Sequence, residues 1–177
     1  MRAPDCGEAE GLHSLPGPAL RTIARTTQGD EPMDHDGLIA HRRISLDLAQ
    51  AILGSAREAA TREGIAVAMA VCDGAGNMIA FARMDGAPLG ATELAANKAH
   101  TAALWEMRTG EFQRSTQPDG VDWGLNTSAG GRIVVYAGGV PVRVDGALVG
   151  AVGVSGGTGE QDEACVEEAL GKHGLGS

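Results

Sequence analysis

Two pairs of short apolar segments, each joined by a tight turn, constrain the fold of this chain more than any other feature. In the first pair, the segments 65–72 (IAVAMAVC) and 78–84 (MIAFARM) flank a turn of small and polar residues. In the second pair, 140–144 and 147–154 are joined by the dipeptide Asp145-Gly146, which favours a β-hairpin. Strands connected by hairpins are antiparallel. The pattern therefore favours an antiparallel sheet over a doubly wound parallel sheet.

Three helices are predicted around these hairpins. In the first, Ser45 is the expected N-cap and Gly64 follows the end. The second is expected to begin at a capping Thr92 and to run through Arg108, and the third spans Gly159 to His173. With a further strand predicted over 132–136, the order is α-β-β-α-β-β-β-α. We expect an α+β fold in which helices cover both faces of a five-stranded antiparallel sheet.

Composition narrows the function classes. The chain has 27 glycines and only 3% aromatic residues, which predicts a core of small aliphatic side chains and closely approaching backbones. A formal net charge of -9 argues against a nucleic-acid partner. Three cysteines without C-x-x-C spacing support neither a disulfide framework nor a zinc site. With no long apolar run and no secretory segment, we expect a cytoplasmic protein without a membrane span.

The first 43 residues differ from the rest of the chain. Residues 1–43 mix Gly, Pro and charged residues without sustained periodicity, and we interpret them as an N-terminal arm that is partly disordered or used in assembly. The sequence is compatible with translation from Met1 or from Met33. The regular pattern covers 44–174 and predicts a single domain. Because exposed sheet edges tend to be covered by partners, we also expect a homo-oligomer.

The second predicted helix carries the most informative side chains. At 100° per residue, Leu94, Lys98, Thr101 and Trp105 share one face of this helix. In one interpretation, Lys98 extends past the core edge to solvent or to a carboxylate. In the other, Lys98 and Thr101 line a ligand pocket in which the ammonium meets a ligand carboxylate.

Other charged and imidazole groups are weaker candidates. Arg83 adjoins the first hairpin, where a solvated surface charge is usual, but together with Lys98 it could supply the cationic half of a site for an organic acid. His100 projects about 100° away from Thr101, as an interface or core histidine would. His41 precedes the first helix and is expected to be an exposed arm residue. The histidines have no spacing typical of a catalytic metal site.

The segment 153–157 (GVSGG) matches the G-x-S-x-G pattern of serine hydrolases. The only downstream histidine, His173, lies about 20 Å away along the following helix, so hydrolysis is disfavoured. A phosphate loop is also disfavoured, because acidic residues occupy the first turn of that helix. A packed turn between a strand and a helix is the favoured interpretation, and it is compatible with a loop that contacts a ligand.

Three ordered motifs resemble those of a known family. The segments VCDGAGNMIAFARMDGA, ANKAHTA and AGGVPVRVDGALVGAVGVSGGTGEQDEACVEEAL are similar to the GlcG/HbpS-like family, which includes the heme binder HbpS and the C-terminal domain of PduO-type proteins. The resemblance covers about 44–174. It implies a profilin-like fold and assembly into dimers or octamers.

The resemblance also implies heme as a cofactor in some members, held near the K-A-x-T-A helix. A threonine of that helix and a histidine near the chain start look like the iron ligands of those members. The matching threonine is Thr101, and His41 and His100 are the two candidates for the histidine. The glycine-rich loop belongs to the family pattern, and it is expected to form a pocket rim or a subunit contact in which Asp162 is the polar participant.

These observations leave three functional hypotheses. The first is an oligomeric protein that binds heme or another planar acidic ligand in a pocket lined by Lys98, Thr101 and Trp105, with Lys98 or Arg83 meeting its carboxylates. The second is a catabolic lyase or isomerase in which Lys98, its pKa lowered by burial, is the base or the carbonyl-binding amine. Asp162 or Asp73 would assist it. The third is a structural or signalling partner.

Overall fold

The computed structural model describes residues 41–176. Three α-helices and four strands follow one another as α1 (Leu46–Arg62), β1 (Ala68–Cys72), β2 (Met78–Arg83), α2 (Ala91–Trp105), β3 (Gly139–Val144), β4 (Ala147–Ser155) and α3 (Gly159–Lys172). Short 3-10 helices occupy Thr109–Gln113, Leu125–Thr127 and Ala129–Gly131. Among the described helices, none has the length and apolar character needed to cross a bilayer.

The four strands form one antiparallel sheet in the order β2-β1-β4-β3. The two hairpins predicted from the sequence are β1-β2 and β3-β4, and they are joined through the β1-β4 pairing. At the β3 edge, the N–H of Arg143 donates to the carbonyl of Gly176 at 3.0 Å. The α+β class and the antiparallel sheet are confirmed, but the sheet has four strands rather than five.

The predicted strand over 132–136 is wrong, and a side chain of α2 explains why. The N–H of Val134 donates to the hydroxyl of Thr101 at 3.1 Å, and that hydroxyl donates to the carbonyl of Arg132 at 3.3 Å. These backbone groups therefore bond to a helix instead of to a neighbouring strand. The segment joins the sheet only near Gly138, whose carbonyl accepts from Val154 N–H at 2.8 Å.

Alternate residues of the strands face two different layers. Met69 and Val71 of β1, with Val152 and Val154 of β4, pack in a cluster of larger aliphatic side chains with α1 and α3. Ala68, Ala70 and Cys72, with Ala151, contact the alanines of α2. Because successive side chains of a strand point to opposite faces of the sheet, the face with larger side chains packs against α1 and α3. The face with small side chains packs against α2. Helices accordingly cover both faces of the sheet.

The ends of the helices follow the predictions only in part. Ser45 is the N-cap of α1 and accepts from Leu48 N–H at 3.2 Å. Thr92 does not cap α2, because the helix begins at Ala91 after Gly90 and the first amides already bond to the carbonyls of 88–90. The same helix ends at Trp105 instead of Arg108, since Glu106 adopts a left-handed conformation.

Glycines let α2 lie directly on the sheet. A β-carbon at Gly153 would stand 2.2 Å from the carbonyl oxygen of Ala95, and one at Gly139 would stand 2.6 Å from that of Lys98. Neither position has room for a methyl group. This close contact fixes α2, and with it the candidate site residues, relative to β3 and β4.

Candidate functional site

Lys98 and Asp162 form a buried ion pair between α2 and α3. The Nζ of Lys98 lies 2.8 Å from Oδ2 of Asp162, and the two side chains are 1% and 3% exposed. The ammonium also donates to the carbonyl of Val154 at 2.9 Å and lies 5.3 Å from the centroid of the Tyr136 ring. The lysine therefore meets a carboxylate, as one interpretation of the sequence expected, but inside the protein and not at a solvated edge.

The carboxylate of Asp162 is held from both sides. Its Oδ2 accepts from Lys98, and its Oδ1 accepts from the N–H of Gly157 at 2.9 Å. Asp162 lies in the first turn of α3, where the helix dipole favours negative charge. The pair thus ties together α2, the end of β4 and the start of α3, which are distant in the sequence.

Burial perturbs the pKa of two groups at this site, Lys98 and Tyr136. Desolvation lowers the pKa of Lys98, while the nearby Asp162 and Glu163 carboxylates act in the opposite direction. The phenol of Tyr136 has its pKa raised, first by burial and then by the charge of Asp162. A lowered lysine pKa is typical of reactive amines, but this Nζ already has a carboxylate, a carbonyl and an aromatic face as partners.

Thr101 is fully buried one turn further along α2. Its hydroxyl donates one hydrogen bond to the 132–134 backbone and accepts one from it, as described above. Because Thr101 is 0% exposed, an iron atom could reach the oxygen only if the surrounding chain moved. The predicted ligand face of α2 is thus occupied by the segment that was expected to be a strand.

The glycine-rich loop donates a hydrogen bond to the carboxylate of the ion pair. The N–H of Gly157 is bonded to Asp162, so this amide is not directed at an external anion. A β-carbon at Gly156 would lie 2.5 Å from the carbonyl oxygen of Ala66, and Ser155 is buried. The loop is a tightly packed turn between β4 and α3, as the favoured interpretation of this segment expected.

The remaining predicted residues lie apart from the ion pair. Trp105 is 45% exposed and contacts Phe112 edge to face, with ring centroids 5.8 Å apart. Arg83 is exposed at the end of β2, and it is not brought next to Lys98 by any bond of the described residues. His100 places Nδ1 3.0 Å from the carbonyl oxygen of Gly76, in the turn between β1 and β2.

His41 lies in a different place, at the end of the sheet where both hairpins turn. It borders a cavity of about 680 Å³ that is formed by three parts of the chain and the end of α2. The lining residues come from the segment before α1, the β1-β2 turn, the residue after α2, and the β3-β4 hairpin: His41, Arg42, Arg43, Asp73, Gly74, Ala75, Glu106, Arg143, Gly146, Ala147 and Leu148. Neither Lys98 nor Thr101 is among these described lining residues.

Three arginines, two carboxylates and one imidazole line this cavity, and several of them are already engaged by other groups. The carboxylate of Asp73 accepts four hydrogen bonds from three donors of its own turn, the N–H groups of Ala75 and Asn77 and the side-chain amide of Asn77. Glu106 pairs with Arg143 at 2.6 Å, and Arg42 pairs with Asp145 at 2.9 Å. Three arginines thus face two carboxylates in this cavity, an excess of one positive charge in a chain whose net charge is -9.

Sequence reasoning singled out His41 and, for a different role, Asp73, but it missed Arg42, Arg43, Arg143 and Glu106 of this cavity. Arg42 and Arg43 adjoin His41 in an A-H-R-R run that was assigned to the arm. Arg143 and Glu106 carry no motif, and only the hairpin brings Arg143 to the end of α2. The consecutive basic residues are the one sequence signal that could have indicated this cavity.

Comparisons with known proteins agree with the resemblance in the sequence. The family model described as haem degrading protein HbpS-like matches residues 44–171. A 15.0 kDa protein from the dhaT-dhaS intergenic region of Citrobacter freundii is 37% identical over 127 residues, covering 72% of this chain and 89% of that protein.

Two crystal structures extend this likeness to the fold. The Klebsiella pneumoniae protein ORFY has a TM-score of 0.75 at 34% identity, covering 77% of this chain and 94% of that one. The PduOC:heme complex has a TM-score of 0.73 at 30% identity, covering 76% of this chain and 97% of that one. Since the family model spans the sheet and all three helices, the chain belongs to the HbpS-like family.

Proposed function

We propose that this protein binds a small, planar, acidic ligand, with heme as the specific candidate, in the cavity bordered by His41. The observation that carries the proposal is the cavity itself, where an imidazole and three arginines line about 680 Å³. That volume lies in the usual range of small-molecule sites. Membership of the HbpS-like family and similarity to the PduOC:heme complex support the choice of heme.

The residues of the cavity fit such a ligand. Arg42, Arg43 and Arg143 would bind its carboxylates, because guanidinium groups match carboxylate geometry. His41 is exposed and would bind iron through its imidazole. Bound heme would supply redox-active iron, whose chemistry depends on its axial ligands and surroundings. Within this proposal the arginines replace Lys98 and Arg83 as the partners of the carboxylates.

We assign a structural role to the buried ion pair of Lys98 and Asp162. The Nζ of Lys98 is engaged by Asp162, by the carbonyl of Val154 and by the Tyr136 ring. A Schiff base or a proton transfer through this amine would have to break that arrangement first. The geometry therefore favours Lys98 and Asp162 as the tie between α2 and α3 over the enzymatic alternative.

Assembly into dimers or octamers remains part of the proposal. Trp105 at the end of α2 and Trp123 in the following loop are 45% and 64% exposed, and large exposed aromatic side chains are typical of surfaces that meet a partner. The predicted arm lies largely outside the described residues. Sedimentation of the full chain and of a form lacking residues 1–32 tests both points.

Titration of the purified protein with hemin tests the proposed function. We expect a saturable Soret shift that is lost in His41→Ala and retained in His100→Ala, because the Nδ1 of His100 is bonded to Gly76. Thr101→Val should keep the wild-type Soret spectrum, since its hydroxyl is engaged by backbone groups. An unsaturable response, or one that His41→Ala leaves unchanged, would contradict the proposal.

A further inference from the structure

We propose that Arg143 recognises a carboxylate of the ligand and that Glu106 is an internal competitor which occupies Arg143 until the ligand displaces it. The inference rests on the proposed function only in placing an acidic ligand in the His41 cavity. Beyond the carboxylate binding already proposed for Arg143, it adds that Glu106 competes with the ligand for this arginine.

The geometry of the two side chains carries the first step. Arg143 Nη2 donates to Oε2 of Glu106 at 2.6 Å, and both residues line the cavity. Their side chains are 32% and 55% exposed. A carboxylate thus already occupies one side of the guanidinium, facing the space where the acidic ligand is placed. The Glu106 carboxylate therefore shows that Arg143 can bind a carboxylate at this position.

Two hydrogen bonds to backbone carbonyls hold Arg143 independently of that carboxylate. Its Nη1 donates to the carbonyl of Gly146 at 3.1 Å, and its Nη2 also donates to the backbone carbonyl of Glu106 at 3.3 Å. Neither contact involves the Glu106 side chain. The guanidinium is therefore held in advance for a replacement carboxylate, which reduces the ordering cost of ligand binding.

The backbone of Glu106 supports a role for its side chain. Its φ of 52° places it in the left-handed region, where glycine or asparagine ends a helix at lower cost. Among the described residues only Ala129 and Asp145 are other non-glycine residues with positive φ. A glutamate at this helix end is disfavoured locally but directs a carboxylate to Arg143, and strained positions of this kind cluster at functional sites.

The pair is weak enough to exchange. Ion pairs between exposed side chains contribute little because water and salt screen them. An incoming carboxylate can therefore replace Glu106, and the affinity lost to this competition is modest. Removing the charge of Glu106 should tighten binding of an acidic ligand, whereas removing Arg143 should weaken it.

Binding of metal-free protoporphyrin IX, followed by its fluorescence, isolates this effect because no iron ligand is involved. We expect Glu106→Gln to bind the compound about fivefold more tightly, equivalent to about 1 kcal/mol at 1.4 kcal/mol per tenfold. Arg143→Gln should bind it about tenfold more weakly, the scale of one charge-assisted hydrogen bond. Arg143→Lys should be intermediate, since lysine lacks the planar fork.

Three controls separate competition from a general charge effect. Glu58→Gln removes an equal charge from another exposed pair, with Lys172, and should leave the affinity unchanged. The dimethyl ester of protoporphyrin IX has no carboxylate and should bind wild type and Glu106→Gln equally. In an Arg143→Gln background, Glu106→Gln should no longer tighten binding. Unchanged thermal unfolding midpoints in Glu106→Gln would show that the fold is intact.

The inference is overturned if Glu106→Gln binds metal-free protoporphyrin IX no more tightly than Glu58→Gln. Equal tightening with the ester, equal tightening in the Arg143→Gln background, or no saturable binding by wild type also overturns it. The proposed function fails separately, when the hemin response does not depend on His41. The two failures are therefore distinguishable.

Discussion

Replacing Lys98 with methionine tests whether the buried ion pair holds the domain together. Methionine keeps most of the packing of the lysine stem but leaves the carboxylate of Asp162 buried, 3% exposed and without its cation. Breaking such a pair from one side costs about 3–5 kcal/mol, against a total of about 5–15 kcal/mol for a typical domain. We expect Lys98→Met to lose stability on this scale.

Urea unfolding, followed by circular dichroism, measures the effect. At an m-value of about 2 kcal/mol per molar urea, the expected loss lowers the midpoint by about 2 M. Lys98→Met combined with Asp162→Asn removes both charges and keeps an oxygen for the Gly157 N–H. We expect this double variant to recover more than half of the loss, because no unpaired charge remains buried.

The exposed Lys172 provides a matched control. It pairs with Glu58 at 3.1 Å, and its side chain is 37% exposed. Lys172→Met should change the free energy of unfolding by less than about 1 kcal/mol. The reasoning is refuted if Lys98→Met changes the free energy of unfolding no more than Lys172→Met does. It is also refuted if the double variant loses as much stability as Lys98→Met and Asp162→Asn lose when their separate effects are added.

Three further substitutions test other parts of the structure. Gly138→Ala should lower the free energy of unfolding in urea by at least about 2 kcal/mol, because φ is +113° and the added carbon would lie 2.7 Å from the Val154 carbonyl oxygen. Gly174→Ala is the control, and it should lower this free energy by less, because Gly174 has a positive φ but open space around it. Thr101→Val should cost about 1–3 kcal/mol by leaving backbone groups of 132–134 unpaired, and a loss below 0.5 kcal/mol would contradict the bonds described. Burial raises the pKa of Cys72 from 9.0 to about 12, so above pH 9 the unfolded thiol loses its proton first. Stability should then fall by about 1.4 kcal/mol per pH unit up to about pH 12 through this thiol, and Cys72→Ala should show a shallower alkaline decline than wild type.

The hairpins and helices were predictable because each is encoded over a short stretch. Alternating small and large residues around Asp145-Gly146 specify a hairpin wherever it lies in the fold. The segment 132–136 has the same apolar character, yet its amide at Val134 bonds to the Thr101 hydroxyl. A hydrogen bond between a strand-like segment and a helix side chain leaves no periodic signal, which is why the fifth strand was predicted wrongly.

The candidate site was predictable only where a pattern or a resemblance pointed to it. Lys98 and Asp162 were each singled out, but their separation of 64 residues gives no indication that they form a pair. The His41 cavity depends on two turns and a helix end that converge in the fold. Arg143 and Glu106 could be recognised only from coordinates, because neither has an informative sequence neighbourhood.

The contact between α2 and the sheet has a consequence for where any ligand can bind. Since Gly139 and Gly153 bring helix and strand backbones together, a flat molecule cannot slip between these two layers without prising them apart. The turns and the helix end around the His41 cavity do not make this close contact, so their side chains can be replaced without separating the helix from the sheet. Substitutions at these turns and helix ends would therefore change the ligand site while leaving the alanine and glycine interior of this chain intact.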